Sequence, residues 1–397
     1  MPTIRWTEGD RARRTVDTVP AVLAVPAVQT VHTAEWHSES GAPAPERIVV
    51  ADDRMKAATA CRLAREGTAL LWRGDFHNAR QLLSAMSRRV ERETARPGAG
   101  PAESFRLHRR ARGRRAGLLG TLLVTLEDDH SLALRRAPDV RLACAQAYGP
   151  PSGRRVVALS ELLGVIGARQ WRDKGVEVPA LGARVHPHYG VFSPVRGEYV
   201  DLVAQVPLSR HPSARPLVAF DLGTGTGVLA AVLAGRGLDR VVATDINPRA
   251  LVCAEENVRA LGFAEKVEIV GPRLYPEGRA DLIVCNPPWI PARPTSAIEQ
   301  GVYDPDGSML CEFLDGLASH LEPGGEGWLV LSDLAEHLGL RTRDELLSGI
   351  GAAGLRVVDR ADTKPRHPRA ADSADPLHAA RAAEVTSLWR LRPVRKP

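Results

Sequence analysis

The sequence predicts an α/β fold: a doubly wound sheet of seven strands in the C-terminal half, preceded by a mostly helical accessory domain. Three observations predict it. From about residue 216 onward, short apolar runs alternate with helical patterns of about ten residues, as in parallel strands joined by crossover helices. The first run, PLVAFDLG, ends in a glycine-rich turn that opens a helix. A later run, DLIVCN, stops at two prolines. Proline cannot donate to a strand ladder, so the strand must end there.

Taken in order, residues 1–45 are rich in Pro, Thr, Ala and Ser without a sustained period, and are expected to be a disordered extension. From Asp53 the pattern becomes helical, with Leu82, Leu83, Met86 and Val90 at helical spacing. A loop at 96–104, a basic run RLHRRARGRR (106–115) and apolar stretches of uncertain type follow. Residues 46–175 are therefore expected to be a mostly helical accessory, substrate-recognition domain, and 176–397 the catalytic domain. The strands expected there are 216–223, 240–246, 266–271, 280–286, 326–333, 355–360 and 385–391. No helix is expected between the last two, so a reversed strand at the sheet edge is expected.

Hydrophobic residues make up 44% of the 397 and charged residues 25%, a soluble globular composition. No apolar run approaches the roughly 18 residues of a membrane span. The first residues lack an apolar signal-type core, so a cytoplasmic protein is expected, with no membrane partner. The five cysteines are scattered without a C-x-x-C pair, which points to buried thiols rather than disulfides or a zinc ribbon. His186 and His188 have no acids at ligand spacing, so no metal is expected. The formal charge of +6 and the basic run leave a polyanionic partner open.

Three motifs carry chemistry. In DLGTGTG (221–227), Gly223, Gly225 and Gly227 let the backbone turn sharply against a ligand. Asp221 and Thr224 lie in the same turn, and the helix amino end behind it favours a negative group. The glycine spacing departs from a dinucleotide fingerprint. In TDIN, Asp245 ends the second strand where a carboxylate can take both hydroxyls of a ribose, with Ile246 beside it; a cap on the next helix is the alternative, and the order of strand, glycine turn, strand and acid favours the ribose. In NPPW (286–289), the Asn286 oxygen and a nearby backbone carbonyl can both accept from one planar NH2 group. Pro287 and Pro288 fix the turn, and Trp289 offers a flat face. An amine methylase has use for this set; a hydride-transfer enzyme does not.

These motifs, in this order, resemble class I S-adenosylmethionine-dependent methyltransferases with a Rossmann-like sheet. Within them the chain looks most like the small-methyltransferase-domain group, which includes HemK-type glutamine methyltransferases. The resemblance implies S-adenosyl-L-methionine as cofactor. It also implies N-methylation of a planar amide or amino nitrogen, by preference a glutamine of a release factor or ribosomal protein. An RNA or DNA base, a small-molecule amine, or a catalytically inactive cofactor-binding protein are the alternatives. The segment YGVFSPVRGEYVDL (189–202) is similar to the one preceding the first strand in that group, and implies that Phe192, Pro194, Arg196 and Glu198 lie against the cofactor. VYDPDGSML (302–310) resembles the segment after the catalytic loop. Two departures stand out: Arg273 occupies the place where such families often carry an Asp near the adenine, and the accessory domain is longer than theirs.

Overall fold

A computed structural model describes residues 2–9, 29–91, 98–209, 215–294, 297–366, 372 and 375–394. The chain divides into two compact units, Met1–Thr94 with Ala111–Ile166, and Ala95–Arg110 with Gly167–Pro397.

The first unit corrects the expectation of a mostly helical domain. Its strands are β1 (Thr3–Gly9), β2 (Gln29–Trp36), β3 (Arg47–Ala51), β4 (Thr68–Trp72), β5 (Leu122–Leu126) and β6 (Arg155–Ala158). They form one six-stranded sheet in the order β1-β2-β6-β5-β4-β3. Helices α1 (Ala57–Arg65), α2 (Phe76–Glu91), α3 (Pro101–Leu119) and α4 (Arg141–Tyr148) lie between the strands from β3 onward and α5 (Leu159–Lys174) follows β6, the first part of α3 and the end of α5 counting with the second unit. Every residue of β4 and β5 is buried. Strands covered on both faces show no alternation, so such runs cannot be told from buried helix by periodicity. Residues 1–45 are also corrected in part, because β1 pairs antiparallel with β2 from Thr3 opposite Glu35 to Gly9 opposite Gln29. Residues 10–28 of the expected disordered stretch lie outside the described residues.

The second unit opens with a short hairpin, β7 (Val176–Val178) and β8 (Ala183–Val185), then α6 (Glu198–Gln205). There follow β9 (Val218–Leu222), α7 (Val228–Gly235), β10 (Arg240–Thr244), α8 (Pro248–Ala260), β11 (Val267–Val270) and β12 (Ala280–Cys285). The chain closes with α9 (Ser308–His320), β13 (Leu321–Ser332), α10 (Leu334–His337), α11 (Arg343–Ala352), β14 (Leu355–Thr363), α12 (His378–Ala383) and β15 (Thr386–Pro393). The seven-stranded sheet runs β11-β10-β9-β12-β13-β15-β14. Here β15 is antiparallel to both neighbours. The reversed strand is therefore inserted one place in from the edge, β14 is the edge, and α12 precedes β15; both points correct the sequence expectation.

Two apolar layers sandwich this sheet. Ala219, Leu282 and Val284 face one with α6 and α7, and Phe220, Ile283 and Cys285 face the other with α9 and α11. The chain leaves β9 toward β10 and β11, then returns to lay β12 on the other side of β9. That reversal makes the carboxyl ends of β9 and β12 the topological switch point, where open α/β sheets bind ligands. Leu222 and Cys285, the last residues of the two strands, are register partners.

No helix among the described residues is long and apolar enough to cross a membrane. All five cysteines are free; Cys311 is exposed and the others are buried.

Candidate active site

The turn after β9 is shaped by backbone bonds to β10. The amides of Gly223 and Thr224 both donate to the Thr244 carbonyl, at 2.9 and 2.8 Å, which folds the turn over the end of the neighbouring strand. Gly225, at φ +56°, has nothing within 4 Å of where a Cβ would stand, and that open space is the cleft. Gly227 has a different task. It takes φ +79° at the start of α7, and a Cβ there would meet the Ala254 backbone at 3.1 Å. The third glycine lets α7 lie close against α8 rather than lining the cleft.

Beneath the turn Asp221 is buried and accepts from Thr224 Oγ1 at 2.6 Å and the Ala230 amide at 3.0 Å. Burial pushes its carboxyl up to about 6 despite those bonds. It holds the turn from below and does not reach the cleft. Asp245 does reach it. One oxygen accepts from the Gly225 amide at 3.0 Å and the other from the Asn247 amide at 2.8 Å, leaving further lone pairs for a ligand. Burial raises its carboxyl, against the pull of those amides. Asp245 is not the cap of the next helix: Asn247 caps α8, with Pro248 behind it.

The cleft, of about 230 Å³, is lined by Phe192, Gly223, Thr224, Gly225, Asp245 and Ile246 on one side and by Asn286 and Pro288 on the other. The structure thus brings together the expected turn, the acid and the amide. Trp289 is placed otherwise than expected. Its indole N–H donates to Asn286 Oδ1 at 2.8 Å, and it is absent from the cleft lining, as is buried Pro287. The indole fixes which way the amide points instead of offering the ligand a face.

Pro194, Arg196 and Glu198 also stand outside the lining. The Arg196 guanidinium lies over the Trp289 ring, 5.3 Å from its centroid. It pairs with Glu198 at 3.3 Å and with Glu384 at 2.9 Å, both carboxylates being buried. Glu384 in turn accepts from Ser332 Oγ at 2.7 Å. A buried ion cluster backs the tryptophan that backs the asparagine. The sequence reading missed Glu384, since an acid 95 positions from Trp289 carries no local signal.

Further wall residues follow the NPPW loop: Gln300, Gly301, Ser308, Met309 and Glu312. Asp304 braces this wall from ahead of α9, accepting from Ser308 Oγ at 2.8 Å and the Met309 amide at 3.0 Å in the first turn of the helix. Leu274 lines the cleft, whereas Arg273, with its side chain 3.7 Å from Glu277, does not. His186 and His188 are tied to structure: His188 pairs with Glu256 at 2.9 Å, and His186 meets the Arg172 carbonyl at 2.6 Å. Among the described residues no group of three or more His, Cys, Asp or Glu is placed to hold a metal.

An open backbone at Gly225 beside a carboxylate with free lone pairs suits the amino-acid and ribose parts of S-adenosylmethionine. Comparison with known proteins agrees. The family described as "Methyltransferase small domain" matches residues 182–343. The release factor glutamine methyltransferase of Cereibacter sphaeroides is 35% identical over 162 residues, 37% of this chain and 56% of that protein. Its counterpart in Moorella thermoacetica is 35% identical over 169 residues, 38% and 57%. The ribosomal protein L11 methyltransferase of Pelotomaculum thermopropionicum is 37% identical over 144 residues, 36% and 39%. The chain therefore spans little more than half the length of the release-factor enzymes it matches. Residues 182–343 are thus similar to the methyltransferase small domain family, and these findings support an S-adenosylmethionine-dependent methyltransferase.

Proposed function

We propose that this chain transfers a methyl group to a planar amide nitrogen, that of a protein glutamine. One observation carries the reading: the Asn286 amide stands in the same cleft as Gly225 and Asp245, at the carboxyl end of β12, with its oxygen already oriented by Trp289. That oxygen has two lone pairs; the indole N–H uses one and leaves the other for a substrate N–H.

An amide nitrogen is a weak nucleophile because its lone pair is delocalised into the carbonyl. Accepting from its hydrogens holds the NH2 group in place and turns the lone pair out of conjugation, toward the cofactor half of the cleft. S-adenosylmethionine, when bound, supplies an electrophilic methyl on a sulfonium. With the cofactor held by Gly225 and Asp245, the nitrogen would take that methyl, the sulfur keeping the electron pair, and would then lose one proton to water. Asn286 serves this step by proximity and orientation. No general base is required, since the proton leaves after the new bond has formed.

The names of the relatives support a protein substrate of release factor or ribosomal protein type. The nucleic-acid-base alternative rested on the basic balance and the 106–115 run, and two arginines of that run are engaged in ion pairs: Arg109 with Glu299 at 3.0 Å, and Arg115 with Glu91. The test is transfer of label from methyl-tritiated S-adenosylmethionine into extract of cells lacking this protein. Counts lost to protease, with N-methylglutamine recovered on hydrolysis by peptidases, are expected. Counts lost to ribonuclease would replace the reading with base methylation.

A further inference from the structure

The loop that leaves Trp289 returns on itself. The Ile290 amide donates to the Val302 carbonyl at 3.2 Å, and the Asp304 amide to the Ile290 carbonyl at 2.9 Å. One end of this closed loop is the NPPW stretch. The other end is Asp304, whose carboxylate accepts from the first turn of the helix that carries Met309 and Glu312 into the cleft wall. Whatever fixes the loop fixes both.

A single side chain from a distant part of the sequence takes three points along it. Arg109, within the part of α3 that counts with the catalytic unit, donates through Nη1 and Nη2 to the two Glu299 oxygens, each at 3.0 Å. Nη2 also donates to the Arg293 carbonyl at 2.8 Å. The guanidinium lies over the Tyr303 ring, 4.1 Å from its centroid. One turn earlier, Phe105 is buried in a cluster with Ile290, Tyr303, Leu334, Leu338 and Leu377, against which Trp289 packs. On its other flank the loop presses on the cleft wall, where a Cβ on Gly301 would fall 2.7 Å from Phe192 Cβ.

We infer that Arg109 is a positioning residue for methyl transfer: it latches the described arms of the loop, 290–294 and 299–303, so that Asn286 and the α9 wall keep their register. The inference rests on the reading of Asn286 as the group that holds the target nitrogen. It also reassigns part of a run that, as sequence alone, suggested phosphate binding. The Arg109 and Glu299 side chains are each only 12% exposed. Removing such a pair from water offsets much of its attraction, so its main effect is geometric definition rather than stability. The geometry calls for arginine. Two parallel bonds to a carboxylate and a flat stack on an aromatic ring need a planar fork, and lysine has only a point charge.

The test uses the full chain with S-adenosylhomocysteine present and compares wild type, Arg109→Ala, Arg109→Lys and Glu299→Gln. Hydrogen exchange at the amides of Ile290, Val302 and Asp304 is expected to speed up about tenfold or more in Arg109→Ala, with no change in β9 and β10. Arg109→Lys should recover little of that protection, and Glu299→Gln, which keeps the shape and removes the charge, should lose part of it. Label transfer into the extract should fall about 100-fold in kcat, as for a misplacement near 1 Å, while S-adenosylhomocysteine affinity stays within about twofold. Unchanged exchange at the three amides would overturn the latch. So would equal acceleration across β9, β10 and the loop, which marks general loosening. If wild type transfers no label to any macromolecule, the functional reading fails, while the exchange result still decides whether Arg109 holds the loop.

Discussion

The two walls of the cleft, the one proposed to take the cofactor and the one proposed to take the target nitrogen, are held in place by different means. On the cofactor wall the holding is local and made mostly by backbone: the Gly223 and Thr224 amides donate to the Thr244 carbonyl, and the Gly225 amide to the Asp245 carboxylate, all within one β-α-β unit. On the nitrogen wall it is made by side chains, and its outer links are remote. Asn286 is oriented by Trp289, Trp289 is backed by Arg196, and Arg196 is fixed by the neighbouring Glu198 and by Glu384, 188 residues away. Backbone bonds survive most substitutions, whereas a chain of side-chain contacts fails with any member. The two walls should therefore be separable by mutation, affinity residing in one and turnover in the other.

The sharpest separation is expected at Asn286. Asn286→Ala should cost about 100-fold or more in turnover, because the target nitrogen loses its orienting acceptor. Next comes the opposite wall. Asp245→Ala removes charge-assisted bonds worth about 1.5–3 kcal/mol each, so titration calorimetry should show S-adenosylhomocysteine affinity reduced about 10- to 100-fold.

A smaller effect tests the remote support. Glu384→Gln keeps the shape but weakens the hold on Arg196, and about a tenfold fall in kcat with unchanged cofactor affinity is expected. Loss of affinity in that variant would break the distinction between the walls. Gly227→Ala should act on stability alone. The residue holds φ +79° against the Ala254 backbone without lining the cleft, so unfolding in denaturant should be easier by about 1–3 kcal/mol.

The smallest effect concerns pH. Burial holds the Asp221 carboxyl at about 6 in the folded chain, above the 3.8 of an exposed group. Between those values the folded state keeps a proton the unfolded state has lost, so this group's contribution to stability falls as pH rises through that window, then levels off. Asp221→Asn removes the slope. Its stability relative to wild type should therefore improve from pH 4 to pH 6.5, as read by urea midpoints at the two pH values. A difference that stays constant, or moves the other way, would show that Asp221 is not held protonated by its burial.

The same contrast explains how much the sequence disclosed. The cofactor wall was legible because its parts are contiguous: a strand, three glycines at required turns, a second strand and its terminal acid. The NPPW stretch was legible because two prolines end a buried strand at a known kind of place. The role of Trp289 was not, since whether an indole faces a ligand or a neighbouring amide depends on what lies behind it, here Arg196. Arg196 and Glu198 were expected against the cofactor; the structure gives them to the tryptophan. Glu384 and the Arg109–Glu299 pair join positions 188 and 190 residues apart, and no local pattern reports such partners. In the first unit, β4 and β5 were hidden for another reason. Their residues are buried without alternation, and runs that short carry no period of their own.

The central claim, that cofactor and target nitrogen are held by separately built walls, is tested most directly on one variant. S-adenosylhomocysteine would be titrated into wild type and Asn286→Ala, and label transfer into the same extract measured on the same preparations. The account predicts affinities within about twofold of each other and a loss of transfer of about 100-fold or more. Transfer at the wild-type rate by Asn286→Ala would contradict it, and so would a loss of affinity that accounts for the lost transfer.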